Sequence, residues 1–349
     1  MPHATDTSRR FVAAERPAGV PRDVTVPALP PDLPPHHSAE EILAHPRFGL
    51  ARDAMLQAML ALYEHNPFLN RLLLEVGRNV LFVVIMCLHA RHDEADRGTW
   101  PTLQLVKDSM AAFRLASPRR VADLVSRLVK TRYLEQRASS HDRRVRILVP
   151  TARMIAQDQD WLVSHYVPLQ VMFPDPGYAP IMGRDPAFQL QQRLVAASLF
   201  PLAVSLMQRN PVIMHFQRRE AGVMLLITLI QLAGPSPDTS REISYSDIGA
   251  RFGVSRTQVR KLIQEAEAHG LVHVMPQKSG QVVRLTTRLV QAFDHFIADT
   301  MAGHDLVYNM ARRAQADAQP GSMRHVPWLP AGAASNMRVA LPPAARQSA

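Results

Sequence analysis

Residues 248–272 read IGARFGVSRTQVRKLIQEAEAHGLV, and their spacing decides the fold. Ala250 puts a small residue on a first helix where a second helix must approach closely. Gly253, three positions on, supplies the positive φ of a tight turn. Val254 packs under that turn, and Ser255 is placed to be the N-cap of the second helix. Val259, Leu262 and Ile263 keep the spacing of a buried helical stripe, leaving Arg256, Thr257, Gln258, Arg260 and Lys261 on the outer faces. The pattern predicts a helix-turn-helix. Its outer residues are types that hydrogen-bond base edges or phosphates from a helix lying in the major groove. The plainer alternative is a helix-turn-helix used only as packing scaffold.

An earlier segment follows the same plan. Ser117, Val121 and Leu124 pair with Ser255, Val259 and Leu262 at a constant offset of 138. Here Ala112 takes the small-residue position, Leu115 replaces the turn glycine, and Ser117-Pro118 supplies N-cap and first helical position. The outer face offers Arg119, Arg120, Ser126, Arg127 and Lys130. The repeat reaches further back. Pro46/Phe48 and Pro186/Phe188 open the two halves, Asn66-Pro67 and Asn210-Pro211 interrupt them, and apolar helices end at Ala90 and Ala233. It also reaches forward to Thr151 and Thr286, so that offsets stay between 135 and 144 in one order. This reads as a duplication; the alternative is two unrelated helical domains sharing turn signals.

Each helix-turn-helix precedes a strand–loop–strand signal, over 134–138 and 145–149 in the first half and 272–275 and 281–285 in the second. The predicted architecture is mainly α with small β-wings: two winged helix-turn-helix domains in tandem, flanked by disordered tails. The expected boundaries are a Pro-rich arm at 1–39, domains at 40–165 and 185–315, a Pro-rich connector at 166–184 and a tail at 316–349.

The loop between the first pair of strands, ASSHDRRVR at 138–146, carries Asp142-Arg143-Arg144, and Thr151 follows. With these motifs the first half resembles the MarR family of bacterial transcriptional regulators, over roughly 60–166. The resemblance implies that Arg144 enters the minor groove, that Asp142 braces the wing through a charge-assisted bond, and that Arg143 contacts phosphate. Two departures stand out. Pro150 replaces the Leu before Thr151, and Gln277-Lys278-Ser279 stands where the second half should have Asp-x-Arg. The second half is closer to a generic winged helix of the GntR or MarR type, with Lys278 left as its wing contact. Proteins resembling this family are usually homodimers, so two units in one chain imply either a monomeric pseudo-dimer or a homodimer of such chains.

Composition sets the bounds. The chain has 349 residues, 47% hydrophobic and 20% charged, with a net charge of +10. The segment 117–153 holds ten basic and three acidic residues, and 251–288 holds seven and two, so the remainder is slightly acidic. Positive charge gathers where a polyanion would be held, although only four of the 40 basic residues are Lys and arginine usage alone is weak support. The apolar runs at 79–90 and 222–233 are too short to cross a bilayer, and the N-terminus has no apolar signal segment. Cys87 stands alone inside an apolar run, as an inert core thiol in a reducing cytoplasm.

Other constellations carry less. His89, His92, Asp93 and Glu94 suggest a metal but suit a solvated helix end equally, and no metal or other cofactor is expected. His141-Asp142 has no nucleophile or oxyanion donors nearby. No phosphate-loop, nucleophile-elbow, dinucleotide or CxxC pattern occurs, so an enzyme is not expected. Trp100, Tyr133, Trp161 and Tyr166 either line a pocket for a small-molecule effector, common in proteins resembling this family, or form plain core. The reading is a cytoplasmic transcriptional regulator that binds double-stranded DNA. The alternatives are a plasmid-type replication initiator with tandem winged helices and a protein-interaction scaffold.

Overall fold

The computed structural model describes residues 33–64, 67–233, 241–276 and 281–317. Among these the chain is mainly helical with two small sheets. The first half runs α1 (Ala39–Ala44), α2 (Phe48–Tyr63), α3 (Pro67–Leu73), α4 (Val76–Arg91), α5 (Leu103–Ala111), α6 (Pro118–Lys130), β1 (Leu134–Ala138), β2 (Arg146–Pro150) and α7 (Ala152–Met172). A single turn, α8 (Ala179–Met182), leads into the second half. This comprises α9 (Pro186–Ser198), α10 (Phe200–Arg209), α11 (Pro211–Gln217), α12 (Gly222–Ala233), β3 (Arg241–Ile243), α13 (Tyr245–Phe252), α14 (Arg256–Ala268), β4 (Val272–Pro276), β5 (Gln281–Leu285) and α15 (Thr287–Asp317).

Local chemistry sets many of these boundaries. Ser38, Thr102, Ser117, Thr151, Asp185, Ser244 and Ser255 each accept a backbone N–H of the helix they precede. The long α2 has as its counterpart two helices, α9 and α10, bent by 70°. Pro201, at the start of α10, cannot donate to the preceding turn, so one helix cannot continue through it.

Several expected boundaries shift. The span 166–184 is not wholly a connector, because α7 continues through Met172 despite Pro168 inside it. α15 extends to Asp317, two residues past the expected end of the second domain at 315. The end of the N-terminal arm is packed as well. The His37 N–H donates to Asp305 Oδ2 at 2.7 Å, its ring stacks on Phe173 at 3.7 Å, and Ser38 opens α1 with a capping box. The rest of the arm, Asn66 and residues 318–349 lie outside the described residues.

The core lies where the halves cross. Within each half the last long helix packs along the first, α7 on α2 and α15 on α9. Between halves α4 packs on α9, α12 on α2, and α7 on α15, while α1 reaches across to α15. Two ion pairs repeat this crossing. Arg193 of α9 binds Asp158 of α7 at 2.6 Å, and Arg52 of α2 binds Asp294 of α15 at 3.1 Å. Each joins the first long helix of one half to the last of the other, the reciprocal arrangement seen across a two-fold axis.

The two pairs differ in depth. Arg193 and Asp158 are 5% and 1% exposed, and Gln189 also donates to Asp158 at 2.7 Å, whereas Arg52 and Asp294 are 15% and 22% exposed. Burial and the Arg193–Asp158 pair pull the guanidinium pKa in opposite directions, and the pair wins, raising it. Beside them Tyr166 donates to the His304 carbonyl at 2.6 Å and Tyr178 to Asp305 at 2.8 Å. Burial holds the His165 imidazole down at about 4 and also lowers His304 well below the ordinary histidine value. Cys87 is fully buried, its thiol pushed up to about 12.

Candidate nucleic-acid interface

In the second half, Ser244 caps α13 and the helix ends at Gly253, with φ 72°. Its N–H returns to the Gly249 carbonyl. A Cβ on Gly249 would stand 2.7 Å from the Val254 carbonyl oxygen, so no side chain fits there. Gly249 is therefore the close-approach residue, and Ala250, expected in that role, is exposed. Ser255 then starts α14 in a capping box with Gln258: Ser255 Oγ accepts the Gln258 N–H and Gln258 Oε1 accepts the Ser255 N–H. Val259, Leu262 and Ile263 are buried as expected. Arg256, Thr257, Gln258, Arg260 and Lys261 are all exposed, but the Gln258 carbonyl is committed to the cap.

In the first half Thr102 caps α5, which ends three residues before the left-handed position. That position is Arg114, with φ 52°, and not Leu115. Ala112 is exposed in the turn, so it does not mediate a close helix approach. Ser117 accepts the Arg120 N–H, with Pro118 in the first turn. Arg119 is exposed; Arg120 is drawn back onto the buried Glu75 at 2.7 Å. Arg127 is half-buried in the last turn of α6, beside the exposed Lys130.

The junction between helix and hairpin matches bond for bond. Arg132 and Gly270 both have positive φ, and the next residues, Tyr133 and Leu271, each donate their N–H back to the helix at 2.9 Å. Thr151 and Thr286 each donate Oγ1 to those residues' carbonyls, at 3.1 and 2.9 Å. Arg153 and Arg288 each reach the carbonyl of the preceding helix C-cap at 3.3 Å. This junction is why Thr followed two residues on by Arg recurs in both halves.

The sheets differ. β1 and β2 pair from Leu134↔Pro150 to Ala138↔Arg146. β4 and β5 pair from Val272↔Leu285 to Pro276↔Gln281, with β3 on the far side of β5. β3 was not expected from the sequence, being only three residues long. Its counterpart in the first half is one bond, the Leu148 N–H to the Pro101 carbonyl at 2.8 Å.

The first hairpin tip is tied from two sides. Asp142 Oδ1 accepts the Arg144 N–H at 3.1 Å, and Oδ2 lies 3.4 Å from Arg97. His141 stands beside Ser140 and Trp100, and the Trp100 indole N–H donates to the Glu94 carbonyl at 3.1 Å. Arg97 and Glu94 lie more than 40 residues before the tip, so no local pattern announces them. Arg143, Arg144 and Arg146 are exposed. The second tip, with Lys278, falls outside the described residues.

The aromatic candidates are structural in their contacts. Trp100, Tyr133 and Tyr166 are buried, Arg153 covers the Tyr133 ring at 4.4 Å, and Trp161 lies 3.8 Å from the His165 ring. A shallow cavity of about 180 Å³ opens elsewhere, among Thr228, Ile243, Asp247 and Arg251. Among the described residues no cluster of three His, Cys, Asp or Glu is arranged to hold a metal ion, and no single helix is long and apolar enough to cross a membrane. The chain matches no protein-family model, no curated protein and no solved structure.

Proposed function

We propose that the chain is a sequence-specific transcriptional regulator that binds double-stranded DNA through two winged helices. In this reading α6 and α14 are recognition helices in the major groove, and the β1–β2 hairpin is a wing entering the minor groove. The observation that carries it is a set of first-half arginines, Arg119, Arg143, Arg144 and Arg146, whose side chains make no ion pair among the described residues, although Arg120 and Arg137 on the same half are paired with Glu75 and Glu135. Arg119, Arg143, Arg144 and Arg146 are exposed, and Asp142, the acid among them, is engaged with Arg97 and the Arg144 backbone. A solvated salt-bridge face would pair its arginines; a phosphate-binding face leaves them free.

The MarR-like reading of residues 60–166 agrees with this placement. The crossed pairs Arg193–Asp158 and Arg52–Asp294 favour a pseudo-dimer within one chain. Such a chain reads two unequal half-sites about one helical turn apart. It works in the cytoplasm, on the nucleoid.

The test is to recover genomic DNA fragments on purified full-length protein, map them, and weigh the complex on a minimal site. One chain per site, with affinity falling steeply in salt, is the expected result. Two chains per minimal site would overturn the pseudo-dimer, and no retention on DNA at low salt would overturn the regulator. Arg256→Ala should alter sequence preference, and Arg144→Ala should lower affinity for every sequence.

A further inference from the structure

Two left-handed residues bracket α6: Arg114 (φ 52°) in the turn before it and Arg132 (φ 59°) just past its end. α14 is bracketed by Gly253 (φ 72°), two residues before its N-cap where Arg114 stands three before Ser117, and by Gly270 (φ 66°), which matches Arg132 in position. The backbone plan requires positive φ at both places, and glycine meets that requirement without strain. A Cβ at Gly270 would meet nothing within 4 Å, so there backbone strain, not crowding, opposes a side chain. Where glycine is absent, Asn and Asp are the residues that tolerate this region. The first half has arginine at both of its left-handed positions.

A third positive-φ arginine, Arg184, has a structural reason in its two bonds to Asp160 at 2.9 and 2.8 Å. Arg114 and Arg132 have none of that kind: both are exposed, and their side chains make no hydrogen bond or ion pair among the described residues. Strain kept where a residue without it would serve points to use.

We infer that Arg114 and Arg132 are a pair of DNA-phosphate clamps at the two ends of α6, so that the first half grips the duplex more strongly than the second. This rests on the DNA-binding reading above. The 13 residues of α6 make a helix about 20 Å long, longer than the roughly 12 Å width of the major groove. If α6 crosses the groove, residues just beyond its ends come to the flanking backbones, where a guanidinium fork binds phosphate.

The experiment measures binding of the full chain to a mixed-sequence duplex of about 30 base pairs across a salt series, with melting temperatures alongside. The proteins are wild type, Arg114→Gly, Arg132→Gly, Arg114→Lys and Arg132→Lys. Each glycine variant should melt no lower than wild type yet bind several-fold more weakly, with the slope of log K against log salt shallower by about 0.9. Each lysine variant should keep the wild-type slope. Glycine variants with the wild-type slope, while Arg144→Ala still weakens binding, would overturn this inference alone. A wild-type chain that does not bind the duplex at low salt would overturn the DNA reading with it.

Discussion

The two helix-turn-hairpin segments share one backbone and differ in what they present. From α6 to α7 and from α14 to α15 the same bonds recur at an offset of 138 in the helix and 135 after the hairpin. Around that frame the second half has glycine at both left-handed positions, three strands and a capping box. The first half has arginine at its own left-handed positions, the one before the helix displaced by a residue, with two strands and a hairpin tip fastened by Asp142. The frame is held by backbone bonds and buried apolar residues, which tolerate little change. Exposed side chains on it are free to vary, so the difference between the halves marks where binding would diverge.

The deepest way to disturb this relationship is at the crossed ion pairs. Arg193→Ala strands Asp158 in the core and should cost about 3–5 kcal/mol in denaturant melts, against about 1 kcal/mol for Arg52→Ala at the shallower pair. Equal losses would mean that the two crossings carry the same weight despite their different depths.

Acid probes the same junction. The His165 pKa is lowered to about 4 by burial, so the folded chain resists a proton that the unfolded chain accepts. Stability present above pH ~6.5 should fall toward pH ~4 at up to about 1.4 kcal/mol per pH unit. His165→Asn should flatten that slope. An identical slope in the variant would remove His165 from the account.

Gly249 sharpens the comparison of the turns. Adding a methyl there presses on the Val254 carbonyl, so Gly249→Ala should lower stability by about 1–3 kcal/mol, seen as a reduced melting temperature. Ala250→Ser, on the exposed side, should stay within about 0.5 kcal/mol.

The smallest effects are at the caps. Ser117→Ala and Ser255→Ala should each cost about 1 kcal/mol, with Ser255 the larger because its loss also unseats Gln258. A larger loss at Ser117 would show that Pro118 does not compensate for the missing box.

Much of this frame was legible in the sequence because it is local. Ser117 and Ser255 announce helix starts, Val259, Leu262 and Ile263 announce a buried stripe, and the strand–loop–strand signal after each helix-turn-helix announces four of the five strands. The mainly helical class with small strands followed directly. What did not follow depends on partners distant in sequence. Arg120 reads as a free outer-face arginine until Glu75 is beside it, and Asp142 gives no hint of Arg97. The close-approach residue was misplaced by one position, Ala250 for Gly249, because both are small and only the Val254 carbonyl distinguishes them. The left-handed position at Arg114 was hidden because arginine carries no turn signal.

The crossed packing has a further consequence, for how such a molecule can change. When identical chains meet across a two-fold axis, each substitution appears on both sides at once, and a change tolerable on one side must be tolerable on the other. Here both sides of the crossing belong to one chain, so each position varies alone. Arg193–Asp158 lies in the core while Arg52–Asp294 lies nearer the surface. The same independence lets a strained arginine stand at Arg132 while Gly270 opposite it keeps its ease.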